Sequence, residues 1–251
     1  MPFKPKIYNS DLERKYSSQF LGVIINEKLT WNEHILAIKA KMSRYVGILY
    51  KLKSILPLSV RINIFNSFVQ SHINYCSLVW GLGTKASIEP LFAEQKKAMR
   101  ALMPGNNINY YKNGFTPCHT KPFFTEYHIM TVHSIVLTNV LIFMHKHNEY
   151  KNLIPPPVFD IISPEAPKYN HANTNIIEWM DSHHKGKLRN SISFKGPLFY
   201  LNYVPQFLEK TNLMHRCLAT KDAFKKRTKS FLLTTQSIGS LIDWEGTNTP
   251  H

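Results

Sequence analysis

A row of apolar side chains at helical spacing constrains this chain more than any other feature. Ile35, Ile38, Met42, Tyr45, Leu49, Leu52 and Leu56 follow one another at steps of three and four, which draws a seam along one long helix. Just before it, FLGVIINEKLTWNEH passes from β-branched residues into a helix start. Thr30 and Glu33 have the spacing of a capping box, in which each side chain satisfies an unpaired backbone donor. The stretch therefore reads as a joint between strand and helix. Upstream, Ile7 to Tyr8 and Ser18 to Ile25 read as short strands around the polar SDLERKYS. Gly22 inside the second strand marks a bulge, a close backbone approach, or a packing requirement alone.

Pro57 ends the first helix or begins the next, because proline lacks the donor a helix interior needs but is tolerated in a first turn. A second helix is expected over Leu58 to Trp80, with Val60, Ile64, Phe68, His72 and Tyr75 on one side, closed by Gly81 to Gly83. A third is expected over Ser87 to Met103. Its apolar face holds Ile88, Leu91, Phe92, Met99 and Leu102, and its basic face Lys96, Lys97 and Arg100. Three helices joined by short turns make a bundle.

From Asn106 to Pro122 the composition turns to Asn, Tyr, Gly and Pro, the mark of a connector between two lobes. A long helix is expected from about Pro122 to His147, with Ile129, Val132, Val136, Val140 and Phe143 facing one way. The segment IPPPVFDIISPEAPKYNHANTN is too rich in proline and asparagine for regular structure. RNSISFKGPLFYLNYVP reads as a short alternating strand and a Gly-Pro turn, and AFKKRTKSFLL as a last helix with Phe224 and Leu232 toward the core. The expected fold is thus mainly α: a short β-hairpin (1–30), a three-helix bundle (31–105), a connector (106–122), and a second mostly helical lobe with a short strand or two (123–251).

Composition narrows the partner. A net charge of +15 and an isoelectric point near 9.7 call for a polyanion, either nucleic acid or an acidic membrane surface. No stretch approaches the ~18 uninterrupted apolar residues that a bilayer span requires, so no membrane partner is expected. Cys76, Cys118 and Cys217 are odd in number and far apart, which argues against a disulfide framework and for a reducing compartment, nucleus or cytoplasm. The same spacing gives no zinc site. The pairs His145 with His147 and His183 with His184, and Cys118 beside His119, lack the further ligands that would complete one.

Taken in order, FLGVIINEKLTWNEHI, INYCSLVWG and EQKKAMRALM resemble the thumb region of non-LTR (LINE-type, jockey-like) retrotransposon reverse transcriptases. The arginine-containing strand, the Gly-Pro followed by aromatic residues, and the lysine-rich final helix are similar to the C-terminal part of the same family. The resemblance implies that the opening joint corresponds to the palm-to-thumb junction, with Phe20, Leu21 and Gly22 in the primer-grip region. It further implies that the three helices form a thumb lying against a template–primer duplex of RNA and DNA.

Polymerisation needs paired carboxylates to hold two divalent ions, and this chain has no adjacent aspartates: Asp160, Asp181, Asp222 and Asp243 stand singly through the second half. Catalytic residues, metal ligands and cofactors are therefore not expected here, and the polymerase and endonuclease centres of such an element would lie upstream of Met1. A thumb works by tracking phosphates with cations while aromatic rings pack nearby. Lys39, Lys41, Arg44, Lys51, Lys53, Lys96, Lys97 and Arg100 fit that role. Lys225, Lys226, Arg227 and Lys229 form a second basic cluster, suited to RNA contact or to a nuclear address. The expected function is binding of duplex backbone without sequence preference, as a reverse transcriptase-like fragment without its catalytic palm. The alternative is a host-adopted interaction module whose apolar surface, once covered by the palm, contacts a protein.

Overall fold

The computed structural model describes residues 6–7, 10–11, 13–103, 111–112, 116–117, 120–149, 195–196, 199 and 221–235. The protein is mainly helical, with a two-stranded antiparallel hairpin near its N-terminus. Strands β1 (Lys6–Ile7) and β2 (Ser10–Asp11) pair with each other, and β3 (Ser17–Phe20) pairs with β4 (Val23–Asn26) in the register Phe20 with Val23. Ser18 to Ile25 is thus not one strand but a hairpin. Leu21 and Gly22 both take positive φ, 46° and 79°, the left-handed pair that a two-residue turn matched to strand twist requires.

Helix α1 (Asn32–Lys51) follows, but without the Thr30–Glu33 capping box. Trp31 sits at the N-cap in a left-handed conformation, φ 61°, and offers no side-chain cap. Asn26 ties this entry together instead: its Oδ1 accepts from the Thr30 amide at 3.0 Å, and its Nδ2 donates to Thr30 Oγ1 at 2.8 Å. Ser17 donates to Glu33 at 2.6 Å, so the hairpin and the helix start are joined by side chains. His34, Ile35, Ile38, Met42, Val46 and Leu49 are buried along α1. Of the expected seam, Ile35, Ile38, Met42 and Leu49 are buried; Tyr45 is half-buried because the inward row passes to Val46, and Leu52 and Leu56, half-buried too, lie beyond the end of the helix.

The stretch expected as one second helix is broken into parts. Pro57 precedes α2 (Leu58–Ile64), a π-helical segment spans Phe65–Gln70, and α3 (Ser71–Asn74) ends at Tyr75. Cys76 then takes φ 50° and α4 (Ser77–Trp80) starts afresh. The Trp80 indole donates to the Tyr75 carbonyl at 2.8 Å, which satisfies an acceptor released by the break.

Orientation differs too. Arg61, Phe65, Val69 and Ile73 face the core, whereas Val60, Phe68 and Tyr75 are exposed. A row at steps of four would drift around an α-helix of 3.6 residues per turn, and the wider π-turn offsets that drift. The inward row therefore stays aligned across the segment.

Helix α5 (Lys85–Leu102) begins two residues earlier than its apolar pattern implies, because Thr84 Oγ1 caps the Ser87 amide at 3.3 Å. It packs along α1, and Glu94 bridges the two by accepting from Ser43 Oγ at 2.8 Å. Within the connector, β5 (Tyr111–Lys112) pairs with β6 (Thr116–Pro117).

The helix expected from Pro122 to His147 is two, α6 (Lys121–Glu126) and α7 (Val132–Glu149). Between them His128 takes φ 52°. Two glutamines serve the exposed backbone of that break. The Gln95 amide donates to the Met130 carbonyl at 2.9 Å and to Gln70 Oε1 at 3.2 Å, and its oxygen accepts from the Val132 amide at 2.9 Å. Gln70 also donates to the Met130 carbonyl, at 3.1 Å.

Helix α7 is buried on most of its circumference, against α3, α4 and α5 on one side and α8 (Lys221–Thr235) on another. Gly81 marks the closest approach: a Cβ there would run into the Ser77 carbonyl and the Val136 methyl groups. Lys195, Gly196 and Phe199 are helical rather than extended. Phe199 enters the core while the Lys195 amine donates to the Leu82 carbonyl at 3.0 Å. The proline- and asparagine-rich segment from Ile154 onward lies outside the described residues, as do Cys118 and Cys217.

Candidate nucleic-acid interface

The proposed grip residues form the tip of the β3–β4 hairpin. Phe20 and Leu21 are well exposed, and Gly22 occupies the left-handed position that a side chain would strain. The tip is tied down by Tyr75, whose hydroxyl donates to the Leu21 carbonyl at 2.6 Å and whose ring lies against Gly22. That tether uses the break before α4. A continuous helix would not present Tyr75 with the same extended backbone, ψ 121°.

The basic residues of α1 and of the 3-10 turn that follows it (Leu52–Ser54) differ in exposure. Lys41, Arg44 and Lys51 on α1 are exposed, while Lys39 on α1 and Lys53 in the turn are half-buried. Burial lowers the Lys53 amine below its ordinary value, and the nearby Arg61 guanidinium lowers it further. On α5, Lys96 lies 3.6 Å from Glu89 and over the Phe92 ring at 4.4 Å, and Lys97 lies 3.1 Å from Glu94. Both therefore have an acidic neighbour that takes part of their charge. Arg100 is half-buried. Lys225, Lys226 and Lys229 are exposed on α8 and Arg227 is half-buried, while Phe224, Thr228, Phe231 and Leu232 pack inward. Helix α8 packs on α6 and α7, and α1 packs on α5, so the two basic clusters belong to different helix pairs.

Two features escaped the residue-by-residue reading. Between Glu33 and Glu89 the chain has no Asp or Glu at all, yet carries Lys39, Lys41, Arg44, Lys51, Lys53, Arg61 and Lys85. This acid-free stretch runs from His34 of α1 through α4, and a count of carboxylates by window would have found it. Arg61 is the second. It is buried and donates to the Ala101 carbonyl at 3.2 Å, placing a cation at the negative end of α5. No sequence signal distinguishes it from a solvent-facing arginine.

Among the histidines, His34 is buried with Nδ1 accepting from the Ile24 amide at 3.3 Å, and its ring meets Trp80 edge-on. Desolvation and then Lys41 lower its pKa. His133 meets Phe92 edge-on, and burial takes its pKa down to about 4. His145 stacks on Phe224 at 4.0 Å. Among the described residues no group of three or more His, Cys, Asp or Glu side chains converges as a metal site would require. No described helix is long and apolar enough to cross a membrane. Comparison with protein-family models, curated proteins and solved structures returns no match for this chain.

Proposed function

We propose that this protein is a reverse transcriptase-like thumb with its C-terminal extension, which holds the phosphate backbone of an RNA or DNA duplex without reading its sequence. The supporting observation is the exposed row Lys41, Arg44 and Lys51 on α1, beyond that helix's single carboxylate, Glu33 in its first turn, and within a stretch that has no Asp or Glu up to Glu89. Cations without competing acids neutralise phosphates, and such contacts position a duplex without carrying base information. The resemblance at FLGVIINEKLTWNEHI, INYCSLVWG and EQKKAMRALM supplies the family context. Chemistry would reside in a palm with paired carboxylates, and this chain would contribute grip, in nucleus or cytoplasm.

Salt dependence tests the reading. For about five phosphate contacts the slope of log affinity against log salt should be roughly −4 to −5. Replacing Arg44 and Lys51 together with Gln should reduce its magnitude by about two, equally for duplexes of unrelated sequence. A double variant with the parental slope and affinity on every duplex would remove this face from the binding surface.

A further inference from the structure

The outward face of the second helical run carries more apolar surface than a solvent-facing helix needs. Val60 and Phe68 are 39% and 45% exposed, and Tyr75 is 51% exposed. Phe68, together with the half-buried His72, packs against a ring from α1. Tyr45 stacks on Phe68 with centroids 4.8 Å apart and planes 23° from parallel, and on His72 at 5.7 Å and 28°. Beyond His72 the row continues to Tyr75 and the exposed hairpin tip, Phe20 and Leu21. Phe68 itself belongs to the π-helical segment, a distortion frequent at functional sites.

Two cations of α1 accompany this row. Lys41, one helical turn before Tyr45, lies close enough to His72 to help burial lower its pKa. Arg44 adjoins Tyr45 and is exposed, and every residue of the row from α1 to Tyr75 belongs to the acid-free stretch. Planar rings flanked by cations match unpaired nucleotides, whose bases stack while their phosphates take the charge.

We propose that Phe68, Tyr45 and His72 form a stacking platform for the unpaired bases of single-stranded nucleic acid, with Lys41 and Arg44 holding the adjoining phosphates. The assignment rests on the nucleic-acid reading above and deepens it, since backbone tracking alone needs no rings.

Fluorescence anisotropy of the full chain with a labelled 12-nucleotide oligo(dT) and with a 12-base-pair duplex separates the two. Replacing Tyr45 and Phe68 together with Leu keeps apolar volume and removes both rings. It should weaken single-strand binding roughly tenfold or more, while duplex affinity changes by less than about twofold. Phe68→Trp should bind oligo(dT) at least as tightly as the parent and show added emission quenching on binding, a signature that misfolding would not produce. Unchanged single-strand affinity in the Leu double variant, with no added quenching in Phe68→Trp, would sink the platform while leaving duplex binding intact. A parent that binds neither ligand overturns both readings. A parent that sediments as a dimer, with the Leu double variant monomeric, assigns the face to a second copy and overturns the platform alone.

Discussion

Helix α1 and the run from Leu58 to Trp80 carry apolar rows of similar regularity, yet only one row went where its spacing pointed. In α1 the opposite side bears Arg44 and Lys51, which point the helix one way even though Leu36 and Ile48 share that side and stay exposed. The second run has apolar residues on two sides, Val60 with Ile64 and Phe68 on one, Phe65 with Val69 and Ile73 on the other. Its polar marker misleads, because Arg61 looks solvent-facing and is buried against the Ala101 carbonyl. Periodicity locates a face, then, but assigns it to the interior only where the other side is unfit for burial.

The largest test of that contrast compares two phenylalanines three residues apart. Phe65 is fully buried and Phe68 is nearly half exposed. Phe65→Ala should cost about 3–5 kcal/mol in urea unfolding and Phe68→Ala less than about 1 kcal/mol. Equal costs would return Phe68 to the core.

A second test uses histidines on the two sides. His133 has a pKa near 4, against about 6.5 for the unfolded chain, so between these values the unfolded state binds more protons. Its stabilising contribution is complete above pH 6.5 and is lost as pH falls toward 4, by up to about 3 kcal/mol. His72 on the outward face is displaced in the same direction, by burial and then by Lys41. Unfolding free energies at pH 7 and pH 4.5, with His133→Gln flattening the difference, check the assignment; a pH-independent parent would contradict it.

The smallest effect sharpens the outer side alone. Tyr75→Phe removes the hydroxyl that holds the hairpin tip at Leu21. Hydrogen exchange of Val23–Asn26 should quicken severalfold while Ile35–Leu49 stays protected. Loss of protection in both would mean that the tether supports the whole fold.

Part of the site was legible and part was not. Lys41, Arg44 and Lys51 of α1 and Lys225, Lys226 and Lys229 of α8 stand where amphipathic spacing puts them, because a charged side chain on a helix away from its apolar seam has little choice but solvent. The acidic neighbour of Lys97 lies three residues away, an i,i+3 pair visible in the sequence, and that of Lys96 lies seven away, two turns along the same face. The aromatic row was hidden, since Tyr45 stacks on residues of another helix and no local pattern joins them.

By itself the sequence determined a basic, mainly helical chain, the strand-to-helix joint, the inward seams of α1 and α5, and a final helix with its lysines outward. Tertiary structure alone decided which face of the second run is buried, and where the chain turns left-handed at Cys76 and His128, residues that carry no glycine-like signal. It also decided which polar groups are taken inside. Gln70 meets Gln95 across 25 positions and Lys195 reaches Leu82 across 113. The reason is that an amphipathic pattern records free energy between a segment and water. The partner of a buried amide or carbonyl is set by whatever segment arrives beside it, and neighbouring residues hold no record of that.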